Sequence, residues 1–118
     1  MLFIMIESAT FGTMTIDGKS YSTDLIIFPD GHVEDEWWRK SGHLLLPDDI
    51  FTLVDAKPDL IVIGTGVHGR MRTDAGLTPF LERRGIRLIA APNVKAVAAY
   101  NEERVKGTRI GAGFHLTC

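Results

Sequence analysis

Leu60-Ile61-Val62-Ile63, standing between Pro58 and Gly64, is an uninterrupted run of large apolar residues. Successive side chains of a strand point to opposite faces, so this run cannot alternate between core and water and needs cover on both sides. Such cover is the mark of parallel sheets in α/β proteins, and the run therefore predicts an interior strand. The sequence beyond it keeps to that pattern. Thr78-Pro79 reads as an N-cap followed by proline at the first helical position, with Leu77, Phe80 and Leu81 as apolar spacing and Gly85 at the end. Arg87 to Ala91 reads as the next strand. Pro92-Asn93 then caps a helix with Val94, Val97, Ala98 and Val105 on one stripe, ended by Lys106-Gly107. A last strand from about Arg109 to Leu116 completes a β-α-β-α-β order, which implies an open sheet with right-handed crossovers between parallel neighbours.

The front of the chain reads differently. Met1 to Ile6 is apolar and is expected to form a buried strand. From Phe11 to Val33, Met14 and Ile16 alternate with threonine, Asp17-Gly18 marks a tight turn, and Leu25 to Phe28 is an apolar run closed by Pro29-Asp30-Gly31. That is the pattern of a small antiparallel meander. Pro47-Asp48-Asp49 opens a short helix with Ile50, Leu53 and Val54 on one face, its carboxylates at the positive end of the dipole. No regular structure is assigned to the segment holding Trp37, Trp38, Arg39 and His43. With 118 residues, 45% of them hydrophobic and 24% charged, a single domain over residues 1–118 is expected.

Composition narrows the function classes. A formal charge of -2 gives no field that would draw the whole molecule to nucleic acid or anionic lipid, so a nucleic-acid partner is not expected. Cys118 is the only cysteine, which rules out an intramolecular disulfide and suits a reducing, cytoplasmic setting. Met1 to Ile6 lacks a basic flank and meets Glu7 too soon for a signal peptide, and no stretch has the length to span a bilayer.

Gly64-Thr65-Gly66-Val67-His68-Gly69 has the spacing of a dinucleotide-binding turn and follows the buried run directly. Its context differs from that turn, because Arg70 to Gly76 intervenes before the next helix and Leu88-Ile89-Ala90-Ala91 ends without the ribose-binding acid. A tight glycine turn is the favoured reading, and no cofactor is assigned. The alternative is an anion-accepting rim over Gly64 to Arg72, in which exposed backbone donors lie beside the guanidinium groups of Arg70 and Arg72. His32, His43, His68 and His115 with Cys118 show no zinc-ligand spacing, and His115 and Cys118, three apart on a predicted strand, point to opposite faces. Catalytic templates such as G-x-S-x-G or a P-loop are missing. Adjacent Trp37 and Trp38 cannot both enter one core if the segment is extended, so at least one is expected at the surface, with Arg39, as a partner-binding or pocket-wall element. Asn101 falls on the expected apolar stripe of the last helix, where it either bonds backbone or lines a cleft.

Taken in order, Phe11-Gly12, Tyr21 with Asp24, Trp37-Trp38-Arg39, Gly42-His43, Ile63-Gly64-Thr65-Gly66, Tyr100-Asn101 and His115-Leu116-Thr117-Cys118 resemble the Mth-type domain of unknown function over nearly the whole chain. The resemblance implies a three-layer α/β fold around a mixed central sheet, with an additional N-terminal antiparallel β element. Eukaryotic members include a mitochondrial complex I assembly factor and an adipogenesis-associated protein, so it also implies an interaction or assembly module with a protein partner rather than an enzyme. It carries over no catalytic residues. The competing expectation is a small-molecule enzyme or anionic-ligand binder that uses Gly64, Thr65, Gly66, His68, Gly69, Arg70 and Arg72, with His43 and Asn101 lining its pocket.

Overall fold

The computed structural model describes residues 5–118. Its front half holds β1 (Ile6–Thr10), β2 (Thr13–Ile16), β3 (Lys19–Tyr21), β4 (Leu25–Ile27), β5 (Val33–Glu34) and β6 (Leu44–Leu45). A 3-10 turn (Pro47–Ile50) and α1 (Phe51–Asp55) lead into β7 (Leu60–Gly64), β8 (Arg72–Thr73) and α2 (Leu77–Glu82). The chain continues through β9 (Arg87–Ala91), α3 (Asn93–Val105) and β10 (Ile110–Phe114).

The apolar run becomes β7, buried at every position. It lies inside a five-stranded sheet of order β5-β4-β10-β7-β9. β10, β7 and β9 are parallel, in a register that sets Ile110 beside Leu60 and Leu60 beside Arg87. β4 and β5 add antiparallel strands on the other side, which makes the sheet mixed. Leu60 and Val62 face a core shared with Ala96 and Tyr100 of α3 and with Ile6, Met14 and Ile16. Ile61 and Ile63 face a second core with Leu53, Leu77 and Leu81. Helix, sheet and helix thus form three layers, and the antiparallel sheet β1-β2-β3 packs beside the α3 face.

Three local expectations are corrected, and a fourth falls mostly outside the described residues. Leu25 to Phe28 does not close the meander: β4 pairs with β10 in the main sheet, and all three of its residues are buried, as an interior strand requires. β1 runs from Ile6 through Thr10; of the expected strand at Met1 to Ile6, residues 1–4 lie outside the described residues. α2 begins at Leu77 rather than at Thr78-Pro79, because Asp74 turns the chain early: its carboxylate accepts from Gly76 N (2.8 Å) and its carbonyl from Leu77 N (3.0 Å). On α3 the expected stripe is not the buried face, since Val94 and Val105 are exposed while Asn93, Ala96 and Tyr100 are buried.

Candidate functional site

The antiparallel pairing of β4 with β10 sets Leu25 opposite Phe114, which brings the next residues outward, Asp24 and His115, together although 91 positions separate them. Asp24 accepts from His115 Nδ1 (2.8 Å), from Arg39 Nη2 (2.7 Å) and from the backbone N–H of Leu116 (2.8 Å). Burial alone would raise the Asp24 pKa; the bonds from His115, Leu116 and Arg39 outweigh it and hold the carboxyl below the ordinary aspartate range. An ionised carboxylate only accepts, so the shared hydrogen belongs to His115 Nδ1, while Nε2 lies 3.4 Å from Thr117 Oγ1. The His43 and His115 rings meet edge to face at a centroid distance of 5.3 Å.

Arg39 also donates to Gly42 O through Nε and Nη2 (3.2 and 3.1 Å) and stacks over Trp37 at 4.7 Å. Its Nη1 is buried and has no hydrogen-bond partner among the described residues. The adjacent tryptophans part, one into the core and one toward water. Trp37 is buried over Gly113, where a side chain at 113 would meet its ring, and it donates from its indole to Asp49 O (3.0 Å). Trp38 is 85% exposed. It stands between two clefts. One, of about 340 Å³, is lined by Arg39, His43, His115 and Thr117; the other, of about 250 Å³, by Glu34, Asp35, Glu36, Asp48 and Phe51.

The glycine loop is put to a different use. A side chain at Gly64 would strike the Phe114 ring and Asn93, and one at Gly66 (φ 111°) would strike the backbone of Cys118. The N–H groups of Val67 and Arg70 donate to the carbonyls of Thr117 (2.7 Å) and Cys118 (2.9 Å), so the glycines make room for a docked segment of this chain. Thr65 N and Met71 N bond to Ala91 O and Thr65 O, and Gly66 N bonds to Asn93 Oδ1 (3.1 Å). These backbone donors are turned onto acceptors of the chain itself, which leaves the side chains of Arg70 and Arg72 as the exposed charge of the expected anion-accepting rim. Gly69 (φ 67°) lies against Pro92, while His68, Arg70 and Arg72 are exposed; Arg72 N bonds to His43 O (2.8 Å), which ties the loop to the tryptophan cleft. Asn93 is not a cap: it opens α3 and its amide bridges Gly66 N and His115 O. Asn101 spends its amide on the backbone N–H and carbonyl of Ile6 (2.9 and 2.8 Å). β10 ends at Phe114, so His115 and Cys118 do not share a strand.

The structure therefore gathers Trp37, Trp38, Arg39 and His43 and adds Asp24, His115 and Thr117, a cluster the sequence reading did not assemble. The signal for it in the sequence is that all seven of these residues carry the family resemblance. Among the described residues, no group of three or more His, Cys, Asp or Glu side chains is placed to hold a metal ion, and no helix is long and apolar enough to cross a membrane.

Layers, strand order and the cleft beside Trp38 define a small mixed α/β domain of the Mth type. The chain belongs to the family described as a protein of unknown function (DUF498/DUF598), whose model matches residues 6–115. The solved structure of MT938 is 31% identical, with 98% of this chain and 99% of that one covered at a TM-score of 0.83. The conserved hypothetical protein PH1505 from Pyrococcus horikoshii OT3 is 28% identical, with 96% and 98% covered and a TM-score of 0.81. A Mth938-like domain from Bordetella pertussis, 16% identical over 96% of this chain and 85% of its own, shares the fold at a TM-score of 0.63.

Proposed function

We propose that the chain is a non-enzymatic interaction module, a single domain working in the cytoplasm, that docks a protein partner through the ridge of Trp38. One observation carries this reading: Trp38 leaves 85% of its surface in water between two clefts, while its neighbour Trp37 is buried. A large rigid aromatic beside concave surface is the residue type most enriched among binding hot spots. An assembly role, as the family resemblance implies, would use the same ridge. A small-molecule or anionic-ligand site on Gly64 to Arg72 has less support, because the loop donors Thr65, Gly66, Val67, Arg70 and Met71 are engaged within the chain.

The test is affinity capture from the native host with wild-type and Trp38→Ala baits. Truncating a hot spot costs about 2 kcal/mol or more, so at least one captured protein should fall roughly tenfold or more with the variant. Thermal stability should stay level, since surface substitutions move it within about 0.5 kcal/mol. Equal recovery of every captured protein by both baits overturns the proposal.

A further inference from the structure

We infer that the Trp38 ridge receives a basic protein segment, with a lysine or arginine side chain laid between Trp38 and Phe51 and its charged head among the carboxylates beyond them. The inference rests on the docking reading above and adds the chemistry of the partner. The cleft of about 250 Å³ is walled by aromatic surface: Trp38 is 85% exposed and Phe51 48% exposed, with Trp37 and Ile26 beneath. Around that surface stand Glu34, Asp35, Glu36, Asp48 and Asp49.

Five carboxylates at one cleft are a strong local excess in a chain whose formal charge is only -2. Part of the excess is already answered. Lys40 pairs with Asp48 (2.9 Å), and the Asp49 carboxylate accepts from the backbone N–H groups of Leu46 (2.8 Å) and Lys40 (3.2 Å). Among the described residues, Glu34 has only the His32 imidazole as an ion-pair partner, at 3.7 Å. Glu34, Asp35 and Glu36 are exposed and consecutive, and their loop is pinned by Glu36 N donating to Thr23 Oγ1 (2.8 Å) and Trp37 N to Asp24 O (2.9 Å). Fixed negative charge beside exposed aromatic faces selects a cation with an apolar stem. The methylenes cover the rings, the ring quadrupole attracts the charge, and the carboxylates receive the head group. The molecule makes this kind of contact with its own residues, Arg39 over Trp37 at 4.7 Å and Arg84 over Phe80 at 3.8 Å. The same charges repel acidic peptides, nucleic acid and anionic membrane surface, which leaves a basic polypeptide as the occupant.

Both tryptophans of the chain line this cleft, so intrinsic fluorescence reports directly on its occupation. Titration with a hexa-arginine peptide should give a saturable change that weakens with added salt, and a hexaglutamate peptide should give none. The double variant Asp35→Asn/Glu36→Gln should weaken hexa-arginine binding about tenfold, and Trp38→Ala, followed by calorimetry, by a similar factor. Removal of equal charge elsewhere, by Glu82→Gln/Glu102→Gln, should change the affinity less than about twofold if the site rather than net charge binds the peptide. Lack of saturable binding overturns the inference, and so does a control variant that weakens binding as much as the site variant. Should host capture depend on Trp38 while hexa-arginine fails to bind, the docking reading stands and the basic partner falls. Should hexa-arginine bind while capture ignores Trp38, the docking reading falls.

Discussion

Asp24 takes its donors from three parts of the chain: the loop residue Arg39, the His115 ring and the backbone of Leu116. The Arg39 side chain is only 6% exposed and its Nη1 lacks a partner among the described residues, so its charge depends on this one carboxylate. Asp24→Asn keeps the shape and removes the charge. Taking one partner from a buried pair costs about 3 to 5 kcal/mol, and a urea melt at neutral pH should show a loss of that order. The pH dependence has a definite sign. The folded-state pKa of Asp24 is lowered, so its stabilisation is complete above the ordinary aspartate range and fades as pH falls through the lower folded value. The gap between wild type and variant should therefore narrow in melts at about pH 3 relative to about pH 7. A gap of the same size at both pH values would show that it does not arise from the ionisation of Asp24.

The strand β7 shows at the level of elements why part of the fold was legible. Four large apolar residues in a row leave no exposed face, and the strand is buried on both sides as its composition demands. Ile63→Ala should cost about 2 to 5 kcal/mol through lost burial and a residual cavity, measured by chemical denaturation. β4 was harder to place. Three apolar residues suit a hairpin or an interior strand equally, and only the partner β10, far away in sequence, decides between them. α3 misled for a different reason. Its buried face is chosen by fit, with Ala96 in the core and Asn93 bridging the glycine loop to His115, so the exposed Val94 and Val105 counted for less than their hydrophobicity suggested. At the site, the exposure of Trp38 beside a buried Trp37 agrees with the expectation that two adjacent tryptophans do not share one core. The meeting of Asp24 with His115 did not, because the β4–β10 register creates it.

Across the whole molecule, the small sheet β1-β2-β3 is joined to the larger layers through Ile6, Met14 and Ile16 in the shared core and through the amide of Asn101 on the backbone of Ile6. Asn101→Ala leaves that N–H and carbonyl unpaired, a cost of about 1 to 3 kcal/mol at one joint. Hydrogen exchange should then speed up in β1 to β3 while β7 and β10 keep their protection; uniform loss of protection would mean that the small sheet and the main sheet open as one unit. The order of strands also governs how the chain comes into being. β10 occupies the middle of the five-stranded sheet and bonds on one side to β4, on the other to β7. During synthesis, Leu25–Ile27 and Leu60–Gly64 leave the ribosome long before residue 114 exists, and neither can close its ladder without that strand. For that interval two apolar segments that belong inside the main sheet lie uncovered in the nascent chain, open to unwanted contacts until β10 arrives.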